Sequence, residues 1–231
     1  MLVIVESPAK AKTIAQIFAK NPKFKNFVVR ASVGHIRSLS NDKKTADGRK
    51  LLISGIDIDN SFLPMYEVDE NKTKVISELK KLAKASKDGI LFATDADREG
   101  EAISWHLADV FGIKDKSKIQ RLEFHEITAE AIIKAVNNPR LLNVHLVSAQ
   151  QARQVLDKLV GYKLSPVLWQ NLGNRHLSAG RVQSPALRLL CTRETEIQNF
   201  KTTEYWEIQG KFINTINLTE IFSADSLSAI V

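Results

Sequence analysis

A single cysteine, Cys191, excludes an intrachain disulfide and a cysteine-based zinc site; set among Leu189 and Leu190, it reads as a core residue. No apolar run reaches membrane-spanning length. The opening MLVIVES meets charge too early for the apolar region of a secretion signal, so the expectation is a soluble cytoplasmic protein with no membrane partner. Tyrosine is scarce, with only Tyr66, Tyr162 and Tyr205, and there is no strong internal repeat.

What is present is a chain of 231 residues, 44% hydrophobic, long enough for one large or two modest domains with a substantial core. Its net charge of +7 is unevenly spread. Residues 1–60 carry 11 basic against 5 acidic groups and residues 140–201 carry 9 against 3, whereas residues 61–139 carry 12 against 14. Two basic blocks around an acidic centre suit a polyanion laid across a metal site.

The chain is organised around GILFATDADREGEAISWHL, Gly89 to Leu107. A short apolar run leading into a helical pattern reads as a buried strand feeding a helix. Four acids, Asp95, Asp97, Glu99 and Glu101, follow that strand, at the carboxyl end where open α/β sheets place their ligands. Mg²⁺ takes one or two carboxylates, retained waters and substrate phosphates, so Asp95, Asp97 and Glu99 are candidate ligands, with Arg98 offsetting their charge. An acidic helix start on a solvated surface would carry the same residue types.

The amino terminus repeats the arrangement. Leu2 to Val5 reads as a strand, and Glu6 stands at its exit before a helix containing Lys10. If the two strands are neighbours, Glu6 meets Asp95 and Asp97, and mutual repulsion raises one carboxyl pKa towards general acid or base use. Lys10 is placed to neutralise a phosphate. Both residues also fit plainer parts, Glu6 as a helix-start acid and Lys10 as a surface lysine.

Further along, residues 27–33 read as a strand running into Gly34-His35-Ile36-Arg37, a plausible phosphate-contacting turn. Residues 38–50 read as a loop, Met65 to Val68 and Arg121 to Phe124 as short strands, and Lys72 to Lys87 and Ala129 to Val136 as helices. This alternation predicts an α/β domain over residues 1–140. From residue 141 the pattern is helical: one helix over residues 142–160 ending near Gly161, a shorter one from Ser165-Pro166, and a third through Leu187 to Ile197. Gln150, Gln151, Arg153, Asp157, Arg175, Arg181, Gln183 and Ser184 concentrate there and suit sugar and phosphate contacts. An Arg153–Asp157 pair along the helix is the plainer reading. Tyr205-Trp206-Glu207-Ile208 and Lys211-Phe212-Ile213 have strand character.

The ordered set VIVESPAKAKTI, VGHIRSL, FATDADREGEAISWHL, FHEIT, AQQAR with LDKLVGYKLSP, and LSAGRVQSPALRLL resembles the type IA topoisomerase family, specifically bacterial DNA topoisomerase I, over about residues 1–210. The acidic motif alone would indicate only the Toprim class. The resemblance implies a Toprim-type Rossmann-like α/β domain over 1–140, a mainly helical DNA-binding domain over 141–200, and the beginning of a β-rich arch over 201–231. It implies Mg²⁺ at Asp95, Asp97 and Glu99, with Arg98 among them. Glu6 takes the part of the family's acid/base at the sugar oxygen, and Lys10 that of the lysine on the scissile phosphate. Arg153 and Asp157 match positions in the DNA-binding groove; Arg181 and Gln183 match the RVQS element, and His35 the VGH segment. DNA is the implied partner, especially single-stranded or negatively supercoiled.

There are departures. Gln154 stands where the family commonly has a second arginine, and His125 replaces an asparagine often found before EIT. None of the three tyrosines lies in the family's tyrosine-arginine-threonine-aspartate-serine setting, and covalent strand cleavage needs such a nucleophile. The expectation is therefore an N-terminal portion, from truncation or from gene splitting, that binds Mg²⁺ and single strands weakly but does not relax supercoils alone; in the split case its partner is a separate chain carrying the arch and tyrosine. A noncatalytic single-strand-binding remnant and a Toprim nuclease are the competing expectations.

Overall fold

The computed structural model describes residues 1–115 and 119–204, with the backbone of 210–213 and 221–224. The first apolar run forms β1 (Leu2–Val5), every residue of it buried. Ser7 caps α1 (Pro8–Ala19), its side chain accepting from the Lys10 N–H, with Pro8 at the position where a missing N–H costs nothing. Then come β2 (Val28–Ala31), β3 (Arg37–Leu39), β4 (Ile56–Asp57), β5 (Leu63–Pro64), β6 (Tyr66–Val68), α2 (Thr73–Ala85) and β7 (Ile90–Phe92). Asp97 caps α3 (Arg98–Val110), followed by β8 (Gln120–Arg121), α4 (Ala129–Asn137) capped by Thr128, β9 (Arg140–Leu141) and α5 (Val144–Leu172).

Five of these strands form one sheet in the order β2-β1-β7-β8-β9, parallel except for the β8–β9 pair. Strand alternation sends Leu2 and Ile4 to one face, where they join Phe92 with Ile76 and Leu79 of α2 and Ile103 and Leu107 of α3. Val3, Val5 and Leu91 face the other way, onto Ile14 and Phe18 of α1 and Ile132 of α4. Helices on both faces explain why the central strand is apolar throughout. The mixed α/β class expected from the sequence is the class observed. Beside the sheet, β3 pairs with β6 and β4 with β5, and Leu39, Ile53 and Ile56 pack against Val155 of α5.

Residues Met1–Gly180 form one compact unit and Arg181–Val231 a second. The second contains α6 (Gln183–Gln198) and an antiparallel pair, β10 (Gly210–Ile213) and β11 (Ile221–Ala224). Pro185 lies in the first turn of α6, where it is tolerated. The strand expected at residues 205–208 lies outside the described residues.

Two expectations are corrected. The two helices read on either side of Gly161 are one, because α5 continues through Gly161 and past Pro166 for 29 residues. Pro166 forgoes a single backbone bond, while the following segment folds back on the helix: the Ala179 N–H donates to the buried Ser165 hydroxyl at 3.2 Å and the Trp169 indole donates to the Leu177 carbonyl at 2.6 Å. The real stop is Gly173, left-handed at φ +66°. Cys191, expected in a core, is exposed on α6, a helix with no buried residue.

Candidate functional site

From β1 the chain winds to one side, to β2, and from β7 to the other, to β8. The winding therefore reverses between the neighbours β1 and β7, and their carboxyl ends bound the crevice where open α/β sheets take ligands. The Ala93 N–H donates to the Ile4 carbonyl at 2.7 Å, fixing the register that brings the two strand exits together. Glu6 leaves β1 and Asp95 leaves β7 into the same space.

Lys10 joins them. Its ammonium, one turn into α1, donates to Glu6 Oε1 and to Asp95 Oδ1, and the Asp95 N–H donates to Glu6 Oε2 at 3.4 Å. Burial, helped by the neighbouring Asp95 carboxylate, pushes the Glu6 pKa up against the opposing pull of Lys10. Asp95 goes the other way: its hydrogen bond with Glu6 and the Lys10 charge outweigh its own desolvation and hold its pKa low. Desolvation alone would lower Lys10, but two carboxylates together move it upward. Like charges in one site split into a carboxyl that keeps its proton longer and one that stays ionised.

Asp97 leads into α3 and commits Oδ1 to the Gly100 N–H at 2.8 Å. Gly100 has no alternative at its position, since a Cβ there would lie 2.1 Å from the Asp95 carbonyl oxygen. This contact folds the acidic loop tightly onto the first turn of α3. Glu99 then projects to α5, where Arg153 Nη1 donates to Oε1 at 3.0 Å and Gln150 Nε2 to Oε2 at 3.2 Å. His35 Nε2 is 3.3 Å from the same Oε2. The turn that delivers His35 is strained: Val33, β-branched, sits at φ +61° and Gly34 at φ +81°, while the Gly34 N–H donates to the Glu6 carbonyl at 2.9 Å.

Beneath the loop lies a buried network that the sequence reading did not anticipate. Arg121 and Glu101 are both fully buried, 3.3 Å apart, and Glu101 also binds Arg140 and the Asn143 N–H. Arg121 Nη2 donates to the Asp95 carbonyl at 2.8 Å, and Nη1 reaches Thr94, the Gly100 carbonyl and Ser104. Desolvation lowers the Arg121 pKa from its usual height. Glu101 is thus a support for the loop and not a member of the site. Its spacing carries the signal: two residues beyond Glu99 on a helix is a rotation of about 200°, so one of them must face the sheet if the other faces the crevice.

The other candidates are distributed as follows. Arg98 opens α3 and is exposed. Arg153 lies 3.9 Å from Asp157, so its shorter pairing is across to Glu99 rather than along its own helix. Arg181 and Gln183 belong to the second unit, Gln183 as the first residue of α6. Gln154 accepts from the Tyr66 hydroxyl at 3.2 Å. Burial pushes the Tyr66 pKa up to about 12, the opposite of an activated nucleophile; Tyr162 is exposed on α5, and Tyr205 lies outside the described residues.

Among the described residues no three His, Cys, Asp or Glu side chains are gathered closely enough to hold a metal ion. The donor chemistry does suit a hard cation, because Asp95, Asp97 and Glu99 offer carboxylate oxygens at one strand end. Each is at present satisfied internally, Asp95 by Lys10, Asp97 by the helix cap and Glu99 by Arg153 and Gln150.

Residues 1–127 match the Toprim domain family and residues 142–228 a family described as DNA topoisomerase. Over 217 residues the chain is 50% identical to DNA topoisomerase 1 of Streptomyces coelicolor, a match covering 91% of this chain and 22% of that protein. The structure of full-length topoisomerase I from Thermotoga maritima superposes with a TM-score of 0.68 at 42% identity, covering 93% of this chain and 33% of that one. The chain thus spans about a fifth of the curated relative's length and a third of the solved structure's.

Proposed function

Because the chain belongs to the Toprim family and continues into a DNA topoisomerase match at residues 142–228, we propose that it supplies the electrostatic half of a type IA strand-cleavage centre. The observation that carries this reading is the convergence of Glu6, Lys10 and Asp95 at the β1/β7 switch point. The whole enzyme's activity on this reading is relaxation of negatively supercoiled DNA, by transient cleavage of one strand through a 5′-phosphotyrosine, strand passage and religation. Residues 1–140 are then the Toprim domain, 141–200 the helical DNA-binding domain, and 201–231 the first part of a β-rich arch.

In this scheme Lys10, whose raised pKa keeps it cationic, binds the scissile phosphate and offsets the charge that grows there. Glu6, with its pKa raised, donates a proton to the leaving sugar oxygen and takes it back on religation. Arg153 and His35, both against Glu99, contact the strand in the first unit, and Arg181 and Gln183 are the DNA contacts that the second unit carries. Asp95, Asp97 and Glu99 would hold Mg²⁺, which supplies positive charge to the phosphates when bound. The nucleophile is a tyrosine outside the 231 residues, since none of Tyr66, Tyr162 and Tyr205 has the family's setting.

The test is reconstitution. This chain alone is expected to bind single-stranded DNA without relaxing a supercoiled plasmid, and to relax it in the presence of Mg²⁺ once mixed with a chain carrying the arch and tyrosine. No relaxation from two folded, associated chains would count against the proposal. Mg²⁺-dependent strand hydrolysis by this chain alone, lost in Asp95→Asn, would make it a nuclease instead.

A further inference from the structure

Glu99 and Arg153 are each other's partner across the crevice, at 3.0 Å, although the functional reading needs them for different ligands. Glu99 is wanted by a cation, and Arg153 by a phosphate. The pair is well defined. Glu99 also accepts from Gln150 at 3.2 Å, and Gln150 is buried, 4% exposed, on the same face of α5 one turn earlier. Its other amide atom, Oε1, is buried with no hydrogen-bond partner. A buried acceptor left open in this way costs stability, so the Nε2 contact with Glu99 is held against that cost. Turning the amide over would set Oε1 against the Glu99 carboxylate, so the contact fixes its orientation.

We propose that Gln150 and Arg153 are positioning residues for Glu99: they hold its carboxylate on α5 in the free protein and release it when a phosphate takes Arg153, so that nucleic acid and divalent cation bind with positive linkage. The physical basis is competition. A cation entering at Glu99 must displace a guanidinium, and a phosphate entering at Arg153 must displace a carboxylate; whichever ligand arrives first removes the cost for the second. Such coupling is reciprocal, each ligand tightening the other by one common factor. Lys10 repeats the logic at Asp95, which it neutralises while it waits for phosphate. The inference rests on the proposed function for the identity of the two ligands.

It is tested by calorimetric titration of the full chain with MgCl₂, with and without a saturating oligothymidylate. Wild type is expected to bind Mg²⁺ about fivefold or more tightly when the oligonucleotide is present. In Arg153→Gln the DNA-free protein is expected to bind Mg²⁺ more tightly than wild type, with the coupling factor collapsing towards 1. Gln150→Leu, which changes no charge and nearly conserves volume, is expected to tighten DNA-free Mg²⁺ binding as well. That arm separates release of Glu99 from a simple change of local charge, which predicts no effect at residue 150. Unchanged or weaker DNA-free Mg²⁺ binding in both variants, or undiminished coupling in Arg153→Gln, overturns the proposal. Should the oligonucleotide not bind wild type, the proposed function fails on that point, and the DNA-free titrations still decide this one.

Discussion

At the scale of single residues, the Glu6–Lys10–Asp95 cluster has a pH signature whose sign follows from the two carboxyl shifts. Glu6 has its folded pKa raised, so the stability it contributes is present below its usual range near 4.5 and is lost as pH rises through the folded value. Replacing it by glutamine removes that loss. The thermal midpoint of Glu6→Gln relative to wild type should therefore rise between pH 4 and pH 7, and a flat or falling difference would contradict the assignment. Asp95, held low, acts in the opposite sense, its contribution being lost as pH falls through the depressed value. Gly100 makes a second prediction of this kind. A methyl group added 2.1 Å from the Asp95 carbonyl must move backbone, so Gly100→Ala should cost about 2–3 kcal/mol or more by chemical denaturation, and should disturb the acidic loop first.

At the scale of elements, the buried Arg121–Glu101–Arg140 network ties β8, α3 and β9 together under the loop. Breaking it on one side should be severe: Arg121→Met is expected to destabilise by about 3–5 kcal/mol in urea denaturation, because Glu101 loses a partner in a site closed to water. The double variant Arg121→Met, Glu101→Leu should recover part of that loss, and strict additivity of the two single effects would refute a coupled network. This is also where the sequence was least legible. β1, β7 and the acids that follow them could be read directly, since a short buried strand and a turn into a helix are local signals. The roles of Glu99 and Glu101 could not be separated by residue type, because an acid on α3 facing the crevice and one facing the sheet look alike until the helix phase is known. For the same reason Gly161 and Pro166 suggested an end to α5, whereas tertiary contacts from Leu177 and Ala179 carry the helix past both. The pairing of Arg153 with Glu99 spans 54 positions and has no local signature at all.

At the scale of the whole molecule, the uneven charge predicts a measurable salt dependence. For a single strand, log K should fall with log salt by about 0.7 for each phosphate neutralised, and Arg153→Ala should reduce that slope by about one such step in fluorescence anisotropy titrations. A slope unaffected by the substitution would remove Arg153 from the DNA track. The order of the central sheet has a consequence of another sort, for the way the protein is made. β1 comes before β7 in the chain yet lies beside it inside the sheet, and its β7 edge finds a partner only when residues 90–92 have emerged. Until then an apolar strand with one open edge must be kept from pairing elsewhere, which leaves nascent chains that stop short of β7 exposed to aggregation. The crevice forms with the same pairing, so the appearance of the Glu6–Lys10–Asp95 cluster marks the moment at which β1 and β7 come together.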